Sequence, residues 1–363
     1  MKLSSLFVLA LGLFANFSYA LDAPSGVRPC CAFGINMKSE LGVVPVPFFR
    51  VNNIVELSDL NTHLYNDGSQ GVTSSLMGTG KESNGLIYTR LGGIIDTAHV
   101  RDTADYALYI YSKIKGQLGK AQQIVLEEEL RSRIIEMMDV PVNLSDTQQH
   151  LAEIELSALL AFRLAQWHEA AQWFGYTSVA GFKEYPSAYS PEDLYSNMLG
   201  ALIAIEILQQ DATVTQGQYE HAFSAVFSRK LSELGAQDAK VTRAVMNSLD
   251  KTWWDSSKRL PNKWVVKVRD YQPRLTITPH WSDEEANKNN QVVTLSLKSL
   301  QPLEHYGYLT LVAAKQESSF SALPESITQL TVWRAEHFPA LAEFAKQQDD
   351  THKLSNNHLL PDY

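Results

Sequence analysis

His168 and Glu169 stand side by side in Gln166-Trp-His-Glu-Ala-Ala-Gln172, and Glu192 and Asp193 follow in Ser190-Pro-Glu-Asp193. The first stretch has the layout of the zincin helix, His-Glu-x-x-His, in which ligands at i and i+4 share a helix face and the glutamate acts as base on a metal-bound water. Glu192 lies twenty residues after Gln172, similar to the spacing of the third, carboxylate ligand in the thermolysin-like proteases. Gln172 occupies the place of the second histidine, and an amide oxygen is a weak zinc ligand. His99, on another helix, can supply the missing nitrogen. The expected metal set is therefore His99, His168 and Glu192, holding zinc or another divalent metal, with Glu169 or Asp102 as base or supporting partner. A plainer account of the same residues is a satisfied polar core, in which His168 and Glu169 bond to neighbours such as Tyr195 and Asn197.

Two other chemistries compete. Cys30 and Cys31 are the chain's two cysteines, adjacent in Arg28-Pro-Cys-Cys-Ala-Phe-Gly34. Either is a candidate nucleophile for a thiol hydrolase, with His99 as base and Asp102 or Asp96 orienting the imidazole. Against that, neighbouring cysteines can trap each other in a strained disulfide, and free cysteine also behaves as a small buried hydrophobe. The third candidate is a non-enzymatic binding strip of Trp253, Trp254, Trp264 and Arg269, able to stack on a ligand and hold an anion. The plainer alternative is a strand that buries its aromatics and solvates its basic residues.

These residues need elements to carry them. His99, Asp102, Thr103 and Tyr106 fall at i, i+3, i+4 and i+7, one face of a helix opening near Thr97. Ser145-Asp-Thr-Gln148 caps a long apolar helix that Gly175 ends, and Ser190-Pro191 starts a second, almost wholly apolar one through Leu208. Two such helices must pack on each other in the interior. A further acidic helix is expected over 121–138, two more over 215–234 and 238–250, and a last one over 325–347. A short strand is expected at 85–90 and a glycine-tightened turn or second strand at 91–96, where glycines imply close backbone packing, with further strands at 274–278 and 292–297. The reading is a mainly helical α+β fold with a buried helix pair at the centre and small β elements. Residues 1–20 form a leader, 21–347 one domain and 348–363 a loose tail.

The leader combines Lys2, an apolar run from Leu6 to Phe14 and Ser18-Tyr-Ala20, which predicts export and cleavage after Ala20, to the periplasm or beyond. No later stretch reaches the roughly 18 apolar residues of a membrane span. A formal charge of -9 without a basic cluster excludes nucleic acid as a partner.

The stretches Arg28 to Gly34, Gly92 to Asp105, Trp167 to Tyr176 and Ser190 to Asn197 together resemble a family of exported bacterial proteins, domain-of-unknown-function family 4056. The resemblance implies export and supplies no chemistry. The leading expectation is a metal-assisted hydrolase of an envelope substrate. A non-enzymatic envelope binding protein and a Cys-His thiol hydrolase stand behind it.

Overall fold

Three helices lie at the centre of the molecule: α1 (Thr97–Ile114), α2 (Asp146–Trp173) and α3 (Asp193–Gln210). The structure is a computed structural model that describes residues 21–25, 28, 33–41, 44–51, 53–68, 82–177, 183–314 and 317–357. The expected buried pair, α2 and α3, is present, and α1 packs against both. Leu156, Leu159, Leu160, Phe162 and Trp167 of α2 are fully buried although they point in different directions around the helix. A helix that is apolar on all sides belongs in an interior.

Local signals set the start of α2. Ser145 accepts the N–H of Gln148, and the Gln148 side chain returns to the N–H of Ser145, which satisfies two donors that the helix start would otherwise leave open. Helix α3 begins three residues after its expected cap, because Ser190 to Glu192 form a turn and Glu192 itself stands at the cap position. The contact between α1 and α3 depends on Gly200. A Cβ there would lie 2.1 Å from the carbonyl oxygen of Val100, so any side chain would push the two backbones apart.

Strands β1 (Met37–Leu41) and β2 (Val44–Val51) pair antiparallel, and the chain later adds β7 (Arg259–Leu260) parallel to β1. The hairpin β3 (Leu86–Thr89) and β4 (Gly93–Asp96) leads directly into α1. Its two faces serve different cores. Ile87 and Ile95 join the main core, whereas Leu86, Tyr88 and Ile94 join a second cluster with Phe33, Met246 and Trp254. Burial on both sides explains the unbroken apolar run of β3.

Three regions differ from the sequence reading. The acidic helix expected over 121–138 is a hairpin of β5 (Gln122–Val125) and β6 (Ser132–Met137), with Ile124 opposite Ile135. Alternate residues Arg133, Ile135 and Met137 are buried, a period of two that outweighs the helical look of the acidic run. The hairpin continues into a four-stranded sheet through β10 (Gly307–Val312) and β11 (Val332–Trp333). The helix expected over 325–347 is interrupted by β11, because Trp333 is fully buried with the Arg131 guanidinium 3.4 Å from its ring centre. The chain resumes as a helix over Phe338–Asn357, so the first ten residues of the expected loose tail are ordered in it. Asp349 anchors this helix by accepting from Trp173 Nε1 at 3.2 Å and Tyr271 Oη at 2.6 Å. The expected strands near 274–278 and 292–297 shrink to β8 (Thr276–Ile277) and β9 (Leu295–Ser296), joined through a short helix, Glu284–Lys288. The helices over Gln216–Glu233 and Ala239–Ser248 lie where the sequence places them. No helix of the described residues is long and apolar enough to cross a membrane.

Gly200→Ala should cost about 1–3 kcal/mol through the forced separation of α1 and α3, read as a lowered midpoint in denaturant unfolding. A change below about 0.5 kcal/mol, the size of an ordinary surface substitution, would show that the close approach carries no stability.

Candidate metal centre

Asp96 ends β4 and caps α1. Its Oδ1 accepts the N–H of Ala98 at 2.8 Å, and its own N–H donates to Ser196 Oγ of α3 at 2.9 Å. One turn further on, His99 Nδ1 lies 3.5 Å from Asp96 Oδ2 and 3.6 Å from Asp193 Oδ1. Asp96, His99 and Asp193 each bring a ligand atom into a group spanning at most 4.8 Å, with all three residues buried. The other ring nitrogen of His99 lies 3.8 Å from Glu169 Oε1, and Glu169 is held in place by the Tyr189 N–H, which donates to Oε2 at 2.7 Å.

The electrostatics of this group are unfavourable without a cation. Asp96, Glu169, Glu192 and Asp193 are each at most 3 % exposed. Among the described residues, Glu169 Oε1, both oxygens of Glu192 and both of Asp193 make no hydrogen bond. Buried polar groups in folded proteins are nearly always partnered, so five such oxygens in one place call for a positive charge. Burial, with Asp96 and Glu169 nearby, pushes the Glu192 carboxyl well above the ordinary carboxylate range. Burial and repulsion from Glu169, Glu192 and Asp96 do the same to Asp193. Burial alone would lower the pKa of His99, but Asp96 and Glu169 raise it overall.

His99 also borders a cleft open to solvent, whose walls include Thr103, Tyr106, His168, Tyr176 and Asn197. His168 occupies the cleft wall rather than the group around His99 Nδ1. Its Nδ1 lies 3.3 Å from Glu129 Oε1, and its Nε2 lies 2.9 Å from the Gln172 amide and 3.8 Å from Glu184. Burial opposes its protonation, yet Glu129, followed by Glu184 and Glu169, pushes its pKa up to about 9.

The sequence-predicted residues therefore divide. His99, Glu169 and Glu192 converge with Asp96 and Asp193, His168 faces the adjoining cleft, and Tyr195 and Asn197 bond elsewhere, to Val293 and Thr103. Asp102 borders the cleft but is tied to Arg28 at 2.5 Å. Arg28 also pairs with Glu82 at 2.7 Å and Asp105 at 2.8 Å, and His63 lies between those two acids at 3.0 and 2.9 Å. This ion network joins loop residues to α1 with no periodicity that a sequence could display.

The aromatic and basic residues do not form one surface. Trp254 is buried and donates to the Met246 carbonyl, Trp264 stacks on His352 with ring centres 4.0 Å apart, and Trp253 is half-buried. Arg269 has a side chain only 2 % exposed and binds the carbonyls of Tyr185, Ala188 and Lys263. It braces the loop that leads into α3. Cys30 and Cys31 lie outside the described residues, as do residues 1–20 and 358–363.

The fold and this centre define a mainly helical α+β protein built around a buried group of acids and one histidine. The family model described as "Protein of unknown function (DUF4056)" matches residues 18–282, and the chain belongs to that family. The match includes all three central helices and every residue of the acid–histidine group. No curated protein and no solved structure matches the chain.

The ion network makes a pH prediction. Burial would raise the Glu82 pKa, but Arg28 and His63, with Arg101 at 3.8 Å, hold it well below its ordinary 4.5. As pH falls below about 4.5 the unfolded chain gains a proton that the folded chain refuses, so the stability due to Glu82 is full above that pH and is lost on further acidification. Glu82→Gln should cost about 3 kcal/mol at neutral pH and flatten the acid limb of the melting curve. An acid limb parallel to that of the unsubstituted protein would refute the assignment.

Proposed function

We propose that this protein is an exported, metal-dependent hydrolase whose divalent ion is held by Asp96, His99 and Asp193 and whose substrate, a component of the cell envelope, enters the cleft beside His99. The observation that carries the reading is the convergence of two carboxylates on one imidazole nitrogen at a place where both Asp193 oxygens lack hydrogen bonds. One nitrogen among carboxylate oxygens suits zinc, manganese or ferrous iron. A bound divalent ion would polarise the scissile group and acidify a water at its open position.

The residues around it have separable tasks. Glu169, fixed by Tyr189, orients the His99 ring from behind. His168, kept protonated at neutral pH chiefly by Glu129, faces the same cleft and is placed to donate a proton to a leaving group. Asn197 and Thr103, hydrogen-bonded to each other at 2.7 Å, line the wall as fixed polar contacts for substrate. The composition of residues 1–20 supports export, and export in turn supports an envelope substrate.

The test is metal content after purification without chelators or a histidine tag. The unsubstituted protein should carry about one equivalent, His99→Ala and Asp193→Asn should lose it, and His168→Ala should keep it while losing turnover on ester and peptide substrates. Glu169→Gln should weaken metal affinity by about 10–100-fold. A protein that stays metal-free after incubation with zinc, manganese and iron, or an Asp193→Asn variant that still holds its ion, would sink the proposal.

A further inference from the structure

Tyr189, whose N–H donates to Glu169, sits in a backbone conformation that its side chain disfavours. It is the third residue of the turn that Ser190 closes by donating its N–H to the Ser187 carbonyl at 3.1 Å, and its φ is +55°. Left-handed backbone is ordinary for glycine or asparagine in such a turn and costs energy for a bulky residue. The surroundings must therefore impose it. Residues 269–271 lie along the turn and grip it at successive atoms. Arg269 donates to the Ala188 carbonyl and, at 3.1 Å, to that of Tyr185. Asp270 N–H donates to the Tyr189 carbonyl at 2.7 Å, and the rings of Tyr271 and Tyr189 pack with centres 5.2 Å apart. Arg269 is anchored in turn: it donates to the Lys263 carbonyl at 2.7 Å, and its Nε lies 3.7 Å from Asp349 Oδ2 of the C-terminal helix. The other oxygen of Asp349 lies 2.9 Å from Lys263 Nζ.

From this chain of contacts we infer that Arg269 is a positioning residue for Glu169: its guanidinium, seated on Asp349, holds the 187–190 turn in the form that aims the Tyr189 N–H at Glu169 Oε2.

Glu169 depends on that turn. Among the described residues the Tyr189 N–H is the hydrogen bond that its carboxyl makes, since Oε1 has none. Anything that lets the turn relax therefore frees the carboxyl to move away from His99. The residue type fits the task, because the planar guanidinium presents several donors at fixed angles and here reaches three carbonyl oxygens at once. A lysine at the same place would carry the charge without the fork. The Arg269 side chain is only 2 % exposed, and burial lowers its pKa, which Tyr271, Asp349 and Glu169 offset only in part. Its position is fixed from both sides, by the turn and by the C-terminal helix. The orienting role of Glu169 rests on the hydrolase reading; the hold on Tyr189 does not.

Amide hydrogen exchange at Tyr189, followed by NMR on the chelated full chain, tests the hold without a metal. Arg269→Lys should speed that exchange about tenfold or more relative to the amides of Leu159 and Leu160 in α2, which report wider opening. Asp349→Asn should speed it in the same direction and stands in if Arg269→Lys does not fold. Zinc affinity then reads the consequence. Arg269→Lys should weaken it about tenfold in the unsubstituted chain and less than about twofold in Glu169→Gln, because a residue acting through Glu169 has nothing left there to position. Unchanged Tyr189 exchange in the folded variant overturns the inference, and so does an equal loss of zinc affinity in both backgrounds. A chain that binds no ion, yet whose Tyr189 exchange responds as expected, defeats the hydrolase reading and supports this one.

Discussion

The backbone approach of α1 and α3 beneath Gly200 is the constraint on which the centre depends. It brings the start of α1 against the start of α3, and Ser196 receives the N–H of Asp96 across that junction. Asp96 and Asp193 then face a single histidine from two helices. Glu169 enters from the far end of α2 and is fixed by the turn that leads into α3. Each carboxylate is positioned by backbone, through a cap, a turn or a helix start. Such positioning can hold acids together against their mutual repulsion, which flexible side chains on a surface would relieve by moving apart.

The two acid groups of the molecule solve the same electrostatic problem differently. Around Arg28, the acids Glu82, Asp102 and Asp105 meet a guanidinium and an imidazole, and the hydrogen bonds are short and direct. Around His99, four acids share one imidazole and five carboxylate oxygens make no hydrogen bond among the described residues. The first group is complete as a structural clamp. The second leaves buried carboxyl oxygens without hydrogen-bond donors among the described residues, at a place that could hold a cation.

Much of this was legible in the residues, for particular reasons. Ser145 with Gln148 forms a local capping pattern, and the apolar circumference of α2 announces burial. Glu169 stands out beside His168 because polar residues in an apolar helix carry a desolvation cost, Glu192 through its spacing from Gln172, and His99 as a source of the ligating nitrogen that Gln172 lacks. Asp96 and Asp193 are harder to recognise as members of this group because each also has an ordinary explanation, one as an N-cap and the other as an acid in a first helical turn. His168 drew attention through zincin-like spacing, but the ring of a residue one position from Glu169 points about a quarter-turn away and finds Glu129, whose position depends on the β5–β6 hairpin. That hairpin was itself obscured, because Glu127 to Glu129 and the paired apolar residues of 134–138 fit a helical period as well as an alternating one. Arg28, His63 and Glu82 come together from loops, where no period exists to read.

The hairpin β3–β4 has a consequence for how the molecule comes apart. With Ile87 and Ile95 in one hydrophobic cluster and Leu86, Tyr88 and Ile94 in the other, it is a party wall between two compartments. Neither compartment can lose this wall while the other keeps it, and Asp96 at its end belongs to the acid–histidine group. The region containing Trp254 and the helical core should therefore melt in one transition, with the acid–histidine group dispersing in the same step.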